Sequence, residues 1–424
     1  MFFQKKINFA VSALLLTVSF GAISADIPDP FANLRNNPTA ATAPVSTDNN
    51  QASAPLVLPS PPTFDAEAWV LMDYHSGQVL FEHNGQKKIW PASLTKMMTS
   101  YVIGMELKAG RLKLDDKVTI TEQAWSKNYS DSSKMFIEVG DTVSVDALNK
   151  GIIIQSGNDA CVAMALHLAG SEAGFVSVMN AYAKQLGLKN TQFANVHGLF
   201  SEQNYSTAYD MALLGRALIR DLPEEYAVYS QKEFTFNGIK QSNRNRLLWD
   251  KNLNVDGIKT GHLSQVGYNL VASATSGNMR LIASVIGAKS EAQRADFSRQ
   301  MLAYGFRFFE LYSPFTKDQS ILTREVRLGD TNTVVLTVPE NVTLMIPRGS
   351  SSEIKVNYRL NKAVFTAPIA KGDELGVIEF KLQDKTLSRS PLVAKDAVAE
   401  GGFFSQLWDK AYMFFTSSSD NNGK

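Results

Sequence analysis

Ala68-Trp69-Val70-Leu71-Met72-Asp73, a turn at His75-Ser76-Gly77, and Val79-Leu80-Phe81 open the regular part of this 424-residue chain. Apolar residues crowd both arms and a glycine-bearing turn parts them, which predicts a β-hairpin. Comparable runs return only much later, at Gly257–Thr260, Tyr268–Ala274 and Arg280–Ile286. From Pro91 to about Leu214 the apolar residues instead recur at helical spacing. A long amphipathic helix follows Ser290, where Ser290-Glu-Ala-Gln293 has the form of a capping box. Strands at both ends of a segment with helices between them predict an antiparallel sheet covered by helices, an α/β sandwich in the broad α+β sense, over residues 64–314.

Outward from this domain the texture changes twice on each side. Past Pro314, Val326–Leu328, Thr333–Val338, Val342–Ile346, Glu353–Tyr358 and Leu375–Lys381 alternate apolar and polar residues between turn formers, which predicts a small antiparallel β-domain over residues 315–398. It carries no cluster of reactive side chains and reads as a spacer or docking unit. In the tail, residues 399–424, Phe403, Phe404, Leu407, Trp408, Ala411, Phe414 and Phe415 fall on one helical stripe opposite Gln406, Asp409 and Lys410. Such an aromatic-rich amphipathic helix is expected to lie in a membrane interface rather than to cross it. Upstream, residues 26–63 hold eight of the 15 prolines and few large apolar residues, a composition for a flexible linker. Residues 1–25 pair a short basic head with an apolar run and a small-residue end at Ala25, the parts of a signal peptide.

Basic and acidic side chains nearly cancel, 42 against 41, so no global field draws the chain to nucleic acid. The single cysteine, Cys161, rules out an intramolecular disulfide and a Cys-x-x-Cys redox pair, and reads as a packed core thiol. The histidines at 75, 83, 167 and 197 lack ligand spacing, and no His-Glu-x-x-His run or phosphate loop occurs, so neither metal nor cofactor is expected. The absence of a Gly-x-Ser-x-Gly elbow argues against an α/β-hydrolase.

Three short motifs remain. Ser93-Leu-Thr-Lys96 opens a predicted helix, with Pro91 suited to the first turn and Met97, Met98, Tyr101, Val102 and Met105 giving a buried face. Residues three apart stand on one side of a helix. A serine hydroxyl is a poor nucleophile until a neighbour takes its proton. Lysine can do so once burial and nearby cations lower its pKa. Ser156-Gly157-Asn158 lies between two predicted helices, where Gly157 would allow a tight turn that presents a hydroxyl and an amide. Lys259-Thr260-Gly261-His262, on or just beyond a strand, supplies a cation, a hydroxyl and a glycine at which a substrate backbone can approach. Decoys exist. Ser352-Glu-Ile-Lys355 repeats the first spacing, but in an alternating β-run, where positions three apart face opposite sides. Ser276-Gly-Asn278 repeats the second as a hairpin turn. What distinguishes the set is its order on helix, loop and strand, with gaps of 63 and 103 residues that allow one cleft.

This ordered set resembles that of the penicillin-binding serine acyl-enzymes. The wider text is similar to the low-molecular-mass D-alanyl-D-alanine carboxypeptidases: Pro91-Ala-Ser93-Leu-Thr-Lys96-Met-Met, Ile154-Gln-Ser156-Gly-Asn158-Asp-Ala-Cys161, Asn195-Val-His197-Gly-Leu199, Asn243-Arg-Asn245 and Val255-Asp-Gly-Ile-Lys259-Thr-Gly-His262. The similarity runs from about Phe64 to the tail and leaves the proline-rich linker outside. It implies a periplasmic enzyme, attached peripherally to the outer face of the inner membrane through its C-terminal helix. Such an enzyme removes the terminal D-alanine from peptidoglycan pentapeptide stems and is trapped by β-lactams.

The same resemblance implies roles. Ser93 attacks the carbonyl between two D-alanines while Lys96 accepts its proton, and the backbone amides of Ser93 and His262 form the oxyanion hole. Ser156 relays a proton to the leaving group, and Asn158 holds Lys96 and the substrate amide. Lys259 and Thr260 bind the terminal carboxylate, helped by Arg294, for which a surface position on its helix is the competing reading. A D,D-endopeptidase, a weak β-lactamase and a catalytically idle wall-binding protein are the alternatives. A dedicated class A β-lactamase would resemble Ser-Asp-Asn at the second motif and use an added carboxylate, and this chain has Ser156-Gly-Asn158 with no such carboxylate evident. A homodimer stays open.

Overall fold

The computed structural model describes residues 58–402; the expected signal peptide, most of the linker and the amphipathic tail lie outside the described residues. The opening hairpin forms as β1 (Ala68–Asp73) and β2 (Val79–His83). The three later runs form β3 (Asn254–Leu263), β4 (Gly267–Ser276) and β5 (Met279–Ala288), each longer than its apolar core suggested. They make one antiparallel sheet in the order β2-β1-β5-β4-β3. The first and last strands of the domain therefore meet inside the sheet, Ala68 opposite Ile286, and β3 with its Lys259-Thr260-Gly261 lies at an edge.

Side chains alternate across a strand, and both faces of this sheet are buried. Val70, Met72, Ile258, Val271, Ile282 and Ile286 join a core with helices α1 (Thr95–Lys108), α2 (Asn158–Ala169), α3 (Glu172–Gln185) and α4 (Ala208–Asp221). Leu71, Leu270, Ala272, Leu281 and Val285 pack on the other side against Met301 and Leu302 of α5 (Glu291–Phe308). Two of these helices, α4 and α5, reach the sheet through a glycine. A Cβ at Gly215 of α4 would press on Ile258, and one at Gly305 of α5 would collide with Leu281 and Leu71. The start of α5 is capped as the sequence suggests on one side, with Ser290 Oγ accepting from the Gln293 amide at 3.1 Å. The reciprocal bond goes one residue further back, from the Lys289 amide to Gln293 Oε1 at 3.0 Å.

The helical stretch is interrupted by a small ribbon, Lys117–Thr119 with Thr142–Ser144. Three-residue strands are too short for an alternation to be visible.

The C-terminal region is all-β: a six-stranded sheet and a ribbon of Phe309–Phe315 with Val342–Pro347, around Leu336, Leu344, Ile346, Ile378, Phe380 and Leu392. Three of its strands were not anticipated, Phe309–Phe315, Lys385–Ala394 and the two-residue Phe365–Thr366. The first continues α5 without a loop and the second is broken up by Arg389 and Pro391. At the junction Arg348 donates to the carbonyls of Phe306, Arg307 and Phe309, groups that a helix end leaves without partners. The decoy Ser352 sits in a short 3-10 turn, Ser351–Glu353, rather than in the expected β-run; it and Lys355 are exposed. Ser276-Gly277-Asn278 is the turn between β4 and β5, with Gly277 at φ +57°.

Candidate active site

Ser93 lies in a 3-10 turn, Ala92–Leu94, that runs directly into α1. Ala92 just before it has φ +53°, a left-handed conformation that costs a residue with a Cβ about 1–2 kcal/mol. Neighbouring backbone holds the turn in that state. Gly198, at φ +83°, packs so closely that a Cβ would run into the Ala92 carbonyl. A Cβ at Gly261 would lie 3.0 Å from Pro91 O and 3.2 Å from Ala92 Cβ. The glycine of the third motif is thus required first by the turn that carries Ser93, where an approach of substrate backbone was expected. Further ties run from Asn204 Nδ2 to Thr95 Oγ1 at 3.1 Å and from Thr99 Oγ1 to the Val196 carbonyl at 2.6 Å.

One helical turn on, Lys96 is fully buried. Its Nζ lies 3.1 Å from Ser93 Oγ and 2.7 Å from Asn158 Oδ1, and donates also to the His197 carbonyl. Burial is the main cause that lowers its pKa to about 8; Arg244 lowers it further, while Cys161 and Asp159 pull it back up. The His197 ring is itself held neutral, its pKa pushed down to about 3 by burial and by Lys96.

The second motif is built differently from expectation. A π-turn, Gly151–Gln155, ends in Ser156 at φ 62°, ψ 37°, so the serine rather than the glycine adopts the left-handed conformation. Gly157 is needed for space: a Cβ there would lie 2.8 Å from Asp159 Oδ1 and 3.1 Å from the Met135 nitrogen. Ser156 Oγ is buried and has no hydrogen-bond partner among the described residues. An unmatched buried hydroxyl costs stability, and at a cleft it is open to a ligand. Asn158 spends its carbonyl on Lys96 and its amide on Ser132 Oγ at 2.8 Å. The adjacent Asp159 carboxylate accepts the amides of Met135 at 2.8 Å and Phe136 at 3.0 Å, tying the Ser130–Ile137 loop to the motif. Burial raises the Asp159 pKa against those amides, which lower it.

The opposite wall is cationic. Lys259 is buried and its pKa falls well below the ordinary range, through burial and then Lys96 and Arg244. Arg294 is 3% exposed, not on the surface. It donates to the Gly261 carbonyl at 3.2 Å, lies over Tyr268, and is pushed down to about 10 chiefly by burial. His262 is exposed and its ring stacks on Tyr268 at 4.2 Å. Arg244 had no role assigned from sequence, yet it reaches Ser133 Oγ at 2.5 Å. Its flanks were the available signal: Asn243 caps Asn245 at 3.0 Å, and Asn245 donates to the Gly257 carbonyl on β3 at 2.8 Å. Against these cations stands Glu291, shared between Arg246 at 2.9 Å and Arg294 at 3.5 Å. Buried positive charge in excess of its partners is a site for an anion.

Ser93, Ser156, Asn158, Thr260, His262 and Arg294 line one cavity of about 760 Å³, together with Arg244 and Glu291. Lys96 and Lys259 sit directly behind it, Lys96 on the Ser93 hydroxyl and Lys259 next to Thr260. The structure thus brings the residues of the three motifs and Arg294 to one place. Chemically, the arrangement offers a hydroxyl against an amine that can lose its charge near neutrality, beside a pocket walled by arginines.

Comparison with known proteins gives an independent view. Residues 56–290 match the family model of D-alanyl-D-alanine carboxypeptidase, and residues 309–400 match that of the penicillin-binding protein 5 C-terminal domain. The chain is 53% identical over 357 residues to D-alanyl-D-alanine carboxypeptidase DacC of Escherichia coli strain K12, covering 84% of this chain and 89% of that protein. Identity to D-alanyl-D-alanine carboxypeptidase DacF of Bacillus subtilis strain 168 is 36%, over 81% of this chain and 88% of that one. The crystal structure of penicillin binding protein 5 from Haemophilus influenzae superposes with a TM-score of 0.78 at 48% identity, covering 80% of this chain and 99% of that one.

Proposed function

The chain belongs to the D-alanyl-D-alanine carboxypeptidase family, and from that premise we propose that it releases the terminal D-alanine of peptidoglycan pentapeptide stems through an acyl-enzyme on Ser93. The observation that carries the assignment of roles is the 3.1 Å contact between Ser93 Oγ and a buried Lys96 amine whose pKa lies at about 8. The neutral amine takes the hydroxyl proton as Oγ attacks the carbonyl between the two D-alanines. Backbone amides of Ser93 and His262 face the developing oxyanion, each such donor typically worth about 3–4 kcal/mol. As the C–N bond breaks, the unmatched hydroxyl of Ser156 relays to the departing amine the proton that Lys96 took up, which leaves Ser156 a hydroxyl and Lys96 neutral again. The carboxylate of that D-alanine is held by Thr260 and Arg294, with Arg244 lining the same cavity and Lys259 directly behind Thr260. Water then cleaves the ester.

A β-lactam acylates Ser93 in the same way. Glu291, the carboxylate of the cationic wall, is engaged by two arginines and is not free to activate water as an added base would. Slow deacylation, and so trapping, follows. Export by residues 1–25, a tether over 26–63, a catalytic unit over 64–314, a β-spacer over 315–398 and interfacial membrane binding by the tail, with or without a dimer, complete the reading: a periplasmic head held at the membrane's outer face.

Labelling with a fluorescent penicillin, followed by peptide mapping, tests the nucleophile; the label is expected on Ser93 and its appearance at Ser352 overturns the assignment. D-alanine release from a pentapeptide, lost in Ser93→Ala, tests the reaction. Faster cleavage of a cross-linked dimer than of the pentapeptide would make the protein an endopeptidase instead.

A further inference from the structure

The cavity interior is polar, but one lip of it is not. Leu199 lines the cavity and is 37% exposed; the next residue, Phe200, is 45% exposed. Phe200 meets the half-buried Trp90 edge to face, with ring centroids 4.9 Å apart. Large apolar side chains left open side by side at the mouth of a site are unusual for a surface and gain when something covers them.

The shelf is preorganised. The Leu199 amide donates to His197 Nδ1 at 3.2 Å and its carbonyl accepts from Asn195 Nδ2 at 3.0 Å, while Asn195 Oδ1 takes the Gly198 amide at 2.7 Å. On the other strand of chain, Ile89 beside Trp90 exchanges both backbone bonds with Ser206 at 2.9 Å, and Pro91 follows. Both halves thus stand on fixed backbone next to the nucleophile turn, so little ordering entropy opposes a contact there.

We propose that Leu199, Phe200 and Trp90 form a specificity subsite for an aliphatic side chain on the residue that precedes the D-alanine pair. The inference rests on the carboxypeptidase reading. That reading commits the substrate's carboxylate to the wall of Thr260 and Arg294, which leaves the His197–Phe200 wall to the acyl side. The residue upstream of the scissile unit follows it by one Cα–Cα step of about 3.8 Å, so its side chain emerges at the lip, where Leu199 passes from cavity to shelf. A long aliphatic stem can lie on the rings while any polar tip stays in water.

The test measures kcat/KM for D-alanine release from two acetylated tripeptides, norleucyl-D-Ala-D-Ala and glycyl-D-Ala-D-Ala, using the full chain. The wild-type protein is expected to prefer the norleucyl peptide by roughly tenfold, the low end for apolar side-chain recognition because the shelf is open on one side. Phe200→Ala and Trp90→Ala should each bring the ratio towards one, and Phe200→Leu should retain most of it. A misfolded fraction lowers both rates alike and leaves the ratio untouched. Equal rates for the two peptides in the wild type, or a ratio unchanged in both alanine variants, overturns the subsite. Release of D-alanine from neither peptide overturns the carboxypeptidase reading itself, and the subsite with it.

Discussion

The chain contains the pattern Ser-x-x-Lys twice, at Ser93–Lys96 in the helical region and at Ser352–Lys355 in the β-domain. The first pair has a 3-10 turn feeding a helix, a fully buried amine and a 3.1 Å contact between the functional groups. The second spans the end of a turn and the start of a strand, with both side chains in water. Identical spacing is chemistry only where secondary structure folds it onto one side and burial strips the lysine of its hydration.

That contrast can be broken most directly at the serines. Ser93→Ala should abolish penicillin labelling and reduce D-alanine release by roughly 10⁴-fold or more, the scale of losing a nucleophile. Ser352→Ala should leave both as they are. Sharper still is the amine: Lys96→Met should cost about 10²–10⁴-fold in the acylation rate, the usual range for a general base, against no change for Lys355→Met. Because the Lys96 pKa is lowered to about 8, the amine is charged below that pH and neutral above it. Acylation by penicillin should therefore climb by roughly tenfold per pH unit on the acid side and level off above about 8. A rate that falls over this interval would remove lysine from the role. Arg294→Gln should lower kcat/KM on a free-carboxylate peptide by roughly 10–100-fold, as expected for a charge-assisted bond, and far less on the C-terminal amide.

The two regions also differ in how they treat glycine. Gly198 and Gly349 share φ +83°, but a Cβ would strike the Ala92 carbonyl at the first and meet nothing within 4 Å at the second. Gly198→Ala should destabilise by roughly 3–4 kcal/mol in thermal unfolding, Gly349→Ala by about 1 kcal/mol.

The architecture was legible because its signals are local. A hairpin, three apolar runs and a capped helix announce a sheet between helix layers, and all appear in the structure. The motifs were legible as text, but the support behind them was not. Nothing in the sequence tells that Ser156 rather than Gly157 turns left-handed, since that depends on a π-turn pressed against Met135. A surface position could compete with the binding role read for Arg294 because helical position alone does not reveal that β3 and Tyr268 close over it. Arg244, Ser132 and the His197 carbonyl were missed for the same reason: their partners are remote in sequence, or the group used is backbone common to every residue.

The sheet pairs its earliest strand with its latest, Ala68 opposite Ile286, more than two hundred residues apart. During synthesis β1 and β2 leave the ribosome with no third strand to join until β5 is made, and a lone hairpin is marginal in water. The turn that carries Ser93 waits too, since Gly198 and Gly261 both come later than Ala92 in the chain. A polypeptide arranged in this way completes its cleft late: the surroundings of Ser93 are assembled only once the two ends of the domain have closed on each other.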